Sequence, residues 1–137
     1  MYNLLNQLKR DEGYRADVYR DTEGLLTIGY GHCLDRKGIS LRVAELMLDD
    51  DIADAKAGLM GKWPWVRDLS PARLGAMVNL TFNMGVGGLN SFKKFLAAAE
   101  RGDWATAAAE LLDSKYAKQV GERAQRVATQ LREDRWV

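Results

Sequence analysis

Scarcity constrains this chain before any motif does. Its single cysteine, Cys33, excludes an internal disulfide framework and suits a reducing compartment. One cysteine and one histidine, His32, cannot supply a closed zinc site, and adjacent residues of an extended chain point apart, so neither metal nor cofactor is expected. No apolar run approaches the length of a spanning helix, and the opening MYNLLNQLKRDEG turns polar after Leu4 and Leu5. It therefore predicts neither a signal peptide nor a membrane anchor. The formal net charge of +1 gives no general case for nucleic acid.

What remains is an ordinary globular composition in 137 residues, one domain by length and large enough for a real core that a cleft could split into two lobes. Leu4, Leu5 and Leu8 recur at helical spacing, which predicts a helix over residues 3–12 with Asn3 as its cap and Gly13 as its stop. A change to short β-prone pieces follows, Val18-Tyr19 and Leu25 to Ile28, separated by the turn Asp21-Thr22-Glu23-Gly24. After a loop at Asp35 to Gly38, Ser40 caps a long amphipathic helix reaching about Met60, with Val43, Ala44, Met47, Leu48, Ile52, Ala55 and Leu59 on its apolar face. Asp49, Asp50, Asp51 and Asp54 read as a solvated face, since they lack the glycine and alternating ligands of a calcium loop. Trp63-Pro64-Trp65 reads as a bulky turn plugging a lobe boundary.

Ser70-Pro71 opens a central helix expected to bury Leu74, Met77, Val78 and Phe82, with Asn79 and Asn83 beside them, until Gly85-Val86-Gly87-Gly88 breaks it. Three further helices are expected: one opened by Ser91 and ended by Gly102, an alanine-rich one from Trp104 to Leu112, and a last one after Gly121. The expected fold class is α+β: a small antiparallel β lobe over about 14–50, beside a cleft, and a helical lobe over about 60–137 against which the first helix packs.

The stretch EGYRADVYRDTEGLLTIGYGH, Glu12 to His32, organises the chemistry. A carboxylate on a helix end, facing a carboxylate and a hydroxyl on a small sheet, gives two differently housed acids, as general acid/base cleavage of a glycosidic bond requires. Taken singly, Glu12 is a helix-end glutamate, Asp21 a turn residue and Thr27 a strand threonine. The turn position of Asp21 implies that alanine there costs little core packing and leaves the chain folded. Gly29 and Gly31, which bracket Tyr30, permit close backbone approach.

Glu12, Gly13, Tyr19, Asp21, Gly24, Thr27-Ile28-Gly29, Gly31 and His32 resemble the opening of the T4-type phage lysozymes, the endolysins of glycoside hydrolase family 24. The likeness runs on through Asn79 to Gly85, Phe92, Gly102-Asp103-Trp104, Arg123 to Arg126 and Trp136. It covers nearly the whole chain, and as an ordered string it is highly specific. The resemblance implies the lysozyme-like fold and an endolysin muramidase that hydrolyses the β-1,4 bond between N-acetylmuramic acid and N-acetylglucosamine, generally with inversion. It further implies Glu12 as general acid, Asp21 as the residue that positions water or supports the cationic transition state, and Thr27 as a hydroxyl holding that water. Gly31, Cys33, Phe82, Asn83 and Tyr116 become sugar contacts, and His32 pairs with Asp51. Arg123 becomes the arginine across the cleft from the acid. The chain departs from the family pattern at Cys33, Asn83 and Tyr116, where leucine, glutamine and tryptophan stand, and in lacking roughly one short helix after Cys33. The implied partner is peptidoglycan, met by a monomer without nucleic acid or stable membrane insertion. Such a protein waits in the host bacterial cytoplasm and reaches the periplasm and wall through a separate holin-type pore.

Two other classes compete. A silent wall-binding module would lack Glu12 or Asp21, and both are present; a nucleic-acid or protein-interaction module using the C-terminal arginines is interrupted by Glu122, Glu133 and Asp134. A lytic transglycosylase would keep the fold and cut the same bond by attack of the sugar's own 6-hydroxyl, against which Asp21 and Thr27 argue for water.

Overall fold

The computed structural model describes residues 2–137. The chain divides into two units, Met1–Met47 and Leu48–Val137, the division falling inside one long helix. Mainly helical, with one small antiparallel sheet, it has the expected α+β class.

In the first unit α1 spans Tyr2–Glu12, so Asn3 sits inside the helix rather than at its cap. The helix ends where the Gly13 N–H donates to the Lys9 carbonyl at 3.0 Å, with Gly13 at φ 72°. Leu4, Leu5 and Leu8 remain about half exposed. Three strands follow, β1 (Arg15–Arg20), β2 (Leu26–Gly29) and β3 (His32–Cys33), antiparallel in the order β1-β2-β3. The register sets Tyr19 opposite Thr27 and Thr27 opposite Cys33, with an irregularity in β1 between Arg15 and Tyr19. Directly opposed residues share a face, so Tyr19, Thr27 and Cys33 form one row across the sheet. A short helix α2, Leu34–Lys37, occupies part of the expected loop. It is tied to the hairpin by Asp35, whose Oδ2 accepts the Leu26 N–H at 2.7 Å, and by an exposed Arg36–Glu23 pair at 3.0 Å.

The long helix, α3, spans Leu41–Lys62 and is capped as expected, the Ser40 hydroxyl accepting the Val43 N–H at 3.2 Å. Its expected apolar face is buried only at Leu59, whereas Met47, Leu48 and Ile52 stay substantially exposed. Asp49, Asp50, Asp51 and Asp54 are all solvated.

In the second unit a 3₁₀ turn, Pro64–Asp68, carries Val66 into the core, with Trp63 and Trp65 packed against it. Helix α4, Pro71–Asn90, is capped by Ser70 and kinked at Gly85, where φ 75° and ψ 166° leave the helical region. Its buried stripe is Ala72, Ala76, Met77, Leu80 and Thr81, one step round from the expected one, so that Phe82 is exposed. Helices α5 (Lys93–Glu100), α6 (Trp104–Leu112), α7 (Lys115–Val120) and α8 (Glu122–Glu133) complete the unit. Helix α6 packs against both α5 and α8, and its buried alanines 107 and 108 meet Ala98 and Ala99 of α5 and Ala124 and Ala128 of α8 in one core. Small side chains allow this close helix approach, and Phe95, Leu111, Val127 and Leu131 fill what is left.

Arg73 joins the two ends of this unit. Its Nε donates to the Leu131 carbonyl at 2.7 Å and its Nη2 to that of Arg132 at 3.3 Å, while the guanidinium lies over Trp104 and 3.6 Å from Asp134. The positive group thus satisfies free carbonyls at the C-terminus of α8. Arg73→Met should therefore lower unfolding stability by about 2 kcal/mol, and Arg73→Lys should recover only part of it, because one ammonium cannot reproduce the fork. Urea unfolding at neutral pH measures both; an Arg73→Met midpoint equal to the parent's would show that the clamp contributes nothing.

Candidate active site

Of the residues that the sequence marks for chemistry, Glu12, Asp21, Thr27, Gly31, His32 and Cys33 lie in the first unit. Asp51, Phe82, Asn83, Tyr116 and Arg123 lie in the second.

Asp21 closes the β1–β2 turn. Its Oδ1 accepts the Glu23 N–H at 2.8 Å and the Leu25 N–H at 2.9 Å, while its own N–H donates to the Leu25 carbonyl at 2.9 Å. The Gly24 N–H returns to the Asp21 carbonyl at 2.9 Å, and Gly24 at φ 82° supplies the conformation that the reversal needs. The second carboxylate oxygen carries no such bond among the described residues. Alanine at 21 would therefore remove two hydrogen bonds of the turn, a cost separate from core packing.

Thr27 is 3 % exposed, and its hydroxyl donates to the Leu25 carbonyl at 3.0 Å. The backbone of Leu25 thus serves both residues through its two flanking peptides, its N–H bound to Asp21 and its carbonyl shared by the Asp21 N–H and the Thr27 hydroxyl. With its proton committed, Thr27 Oγ1 is left as an acceptor for any further partner. Nothing in the sequence marked Leu25 for this, because its contribution is entirely backbone.

Glu12 is the exposed last residue of α1, and its carboxyl lies against Gly31. A Cβ built on Gly31 would come within 2.6 Å of Glu12 Oε2 and 3.0 Å of its carboxyl carbon. Gly31, expected as a sugar contact, thus also leaves the space that the acid occupies. His32 donates through Nε2 to the Gly38 carbonyl, and Cys33 is half-buried beside Thr27.

In the second unit Phe82 and Asn83 are exposed on α4. Arg123 is held by Asn79, whose Oδ1 accepts from Nε at 3.1 Å and from Nη2 at 2.9 Å. The sequence placed Asn79 beside the buried stripe without giving it this task. Both residues border a groove of about 560 Å³ whose remaining walls include Leu74, Val78, Phe82 and Trp136. Tyr116 is buried edge-on to Phe92 and borders a second cavity of about 410 Å³. Among the described residues its hydroxyl has no hydrogen-bond partner; burial raises its pKa above the ordinary 10.0, with the Arg123 charge pulling the other way. Among the described residues no cluster of His, Cys, Asp or Glu could hold a metal ion, and no helix is long and apolar enough to cross a membrane.

Comparison with known proteins adds an independent finding. The family model described as phage lysozyme matches residues 9–134. The "Pre-baseplate central spike protein Gp5" of Enterobacteria phage T4 is 30 % identical over 91 % of this chain, which spans only 27 % of that protein. "Probable T4-type lysozyme 1" and "Probable T4-type lysozyme 2" of Dictyostelium discoideum are 28 % and 29 % identical, with 91 % of each chain covered. These alignments extend over 153 to 155 positions, more than the 137 residues of the chain, so the relatives carry positions that it lacks.

The site geometry can be tested through its glycines. Gly29 and Gly31 have nearly equal positive φ, 68° and 70°, yet only a Cβ at 31 meets the acid; at 29 nothing lies within 4 Å. Gly29→Ala and Gly31→Ala should therefore lose similar stability, about 1–2 kcal/mol from the left-handed backbone. Only Gly31→Ala should shift the carbon-13 resonance of the Glu12 carboxyl. An unmoved resonance would mean that the carboxyl does not rest on Gly31.

Proposed function

The chain belongs to the phage lysozyme family, and from that premise we propose that it is a lysozyme-type glycoside hydrolase acting on bacterial peptidoglycan. The bond cut is the β-1,4 link between N-acetylmuramic acid and N-acetylglucosamine, with inversion at the anomeric carbon. The observation that carries this reading is the backbone of Leu25, to which Asp21 and Thr27 are both hydrogen-bonded on one hairpin, each keeping an acceptor oxygen for a further partner. A water donating to both would have its lone pair turned outward for attack.

Glu12 supplies the complementary half. A glycosidic oxygen leaves only when protonated as its bond breaks, and a carboxyl on an exposed helix end, with nothing but hydrogen at position 31 beside it, can reach a bound polymer. Asp21, tethered through Oδ1, presents its other oxygen to the water and to the positive charge that develops on the sugar. Inversion requires the water to enter on the face opposite the leaving group, between carboxyls about 6.5–9.5 Å apart. Phe82, Asn83, Tyr116 and Cys33 are read as sugar contacts and Arg123, held by Asn79, as the fixed cation of the second unit. The family further supports a monomer that meets the wall after release from the host cytoplasm through a holin-type pore.

Glu12→Gln should keep the fold and lose about 10³-fold or more in hydrolysis of purified peptidoglycan, since an amide donates no such proton. At position 21 two substitutions separate turn from chemistry. Asp21→Asn retains an Oδ1 acceptor and should melt close to the parent while losing comparable activity. Asp21→Ala should lose activity together with about 1–2 kcal/mol of stability. Early proton NMR of a β-linked oligosaccharide digest should show the α anomer. A β anomer overturns inversion, an anhydro product indicates transglycosylation, and an active Glu12→Gln removes the acid from the mechanism.

A further inference from the structure

Gly13 ends α1 and turns the chain so that the Tyr14 ring meets that of Tyr30, with centroids 5.6 Å apart and planes at 48°. Lys9, one turn before Glu12, places its ammonium 5.7 Å from the centroid of the same Tyr30 ring. Tyr30 in turn lies between Gly29 and Gly31, and Gly31 is the residue against which the Glu12 carboxyl rests. The last turn of α1 is therefore fastened to the β2–β3 turn at two neighbouring points, one aromatic and cationic, the other the close approach of the acid itself. Little else fastens that end. Leu4, Leu5 and Leu8 are about half exposed, so the apolar face of α1 supplies only part of the burial that ordinarily fixes a helix.

We propose that Tyr14 and Tyr30, with Lys9, form a clasp that positions Glu12 for proton transfer; both tyrosines are positioning residues. The clasp rests on the function proposed above, since it gives the aromatic pair a task only if Glu12 is the acid. Both rings are exposed, Tyr14 at 67 % and Tyr30 at 47 %, which on a wall hydrolase invites a second explanation, a platform on which a sugar stacks. The contacts favour the clasp: each ring is already engaged by the other, and Tyr30 is also engaged by Lys9. Tilted rings held in this way resist sliding of the helix end along the turn. Displacement of a reacting group by about 1 Å is enough to cost roughly 100-fold in rate.

The experiment uses the full-length chain with Tyr14→Ala, Tyr30→Ala, the double substitution, and Tyr→Phe at each site. Steady-state hydrolysis of soluble peptidoglycan fragments is measured beside the nuclear Overhauser effect between the Glu12 γ-protons and the Gly31 α-protons. The expected result for either alanine variant is a fall in kcat of about 10- to 100-fold at nearly constant KM, with loss of the Overhauser contact. The double variant should be no worse than either single one, since the two rings act as one pair, and phenylalanine should restore both readouts. Exposure of both rings keeps the alanine variants folded, which circular dichroism verifies. A raised KM with unchanged kcat and an intact Overhauser contact would overturn the clasp in favour of a sugar platform, and unchanged values throughout would overturn it outright. If the parent chain leaves peptidoglycan uncut, the proposed function fails. The Overhauser contact then still decides the clasp: its survival in the alanine variants overturns it, and its loss upholds the positioning of Glu12.

Discussion

The β1–β2 hairpin of the first unit is tied at the backbone of Leu25. The Leu25 N–H is held by the Asp21 carboxylate, and the Leu25 carbonyl takes both the Asp21 N–H and the Thr27 hydroxyl. A residue whose two flanking peptides are both bonded cannot shift without breaking several hydrogen bonds at once, so Asp21 and Thr27 keep their places as a property of the hairpin. The proposed function asks a second task of Asp21 and does not conflict with the first: Oδ1 closes the turn, and the task proposed for the carboxylate falls to its other oxygen.

Glu12 is placed differently. No hydrogen bond to its carboxyl is found among the described residues; the exposed side chain lies against Gly31, whose lack of a side chain leaves it room. In the proposed reaction, a pair of acceptors anchored to the hairpin and an acid with only its root held would suit unequal tasks. Orienting a water demands fixed acceptors, whereas delivering a proton to a leaving oxygen tolerates some freedom in the donor, provided its root is held.

Local signals were legible in the sequence, and collective ones less so. Ser40 and Ser70 read correctly as caps, and Gly13 and Gly24 as a stop and a turn, since each depends only on neighbouring backbone. The elements β3, α2 and α7 have two, four and six residues, too few for periodicity to register. The central helix was found but rotated. Met77 is buried as expected, but Leu74 and Val78 are only partly buried and Phe82 is exposed, whereas Ala72, Ala76 and Leu80 join Met77 in the buried series. In a core assembled from Ala98, Ala99, Ala107, Ala108, Ala124 and Ala128, the closest helix contacts belong to small residues that hydrophobicity underrates.

That rotation bears on the site as well as on packing. Turning α4 so that alanine faces inward leaves Phe82 and Asn83 in solvent, and leaves Asn79 placed to take two N–H donors of Arg123. A guanidinium gripped along one edge has its remaining donors aimed in a fixed direction, and the carbonyl of Asn79 neutralises none of its charge. An aspartate at 79 would grip harder but would offset the positive charge that an anionic or electron-rich partner meets. The neutral amide orients the cation and leaves it a cation, so the small side chains of the helical core and the polarity of the exposed face follow from the same turn of one helix.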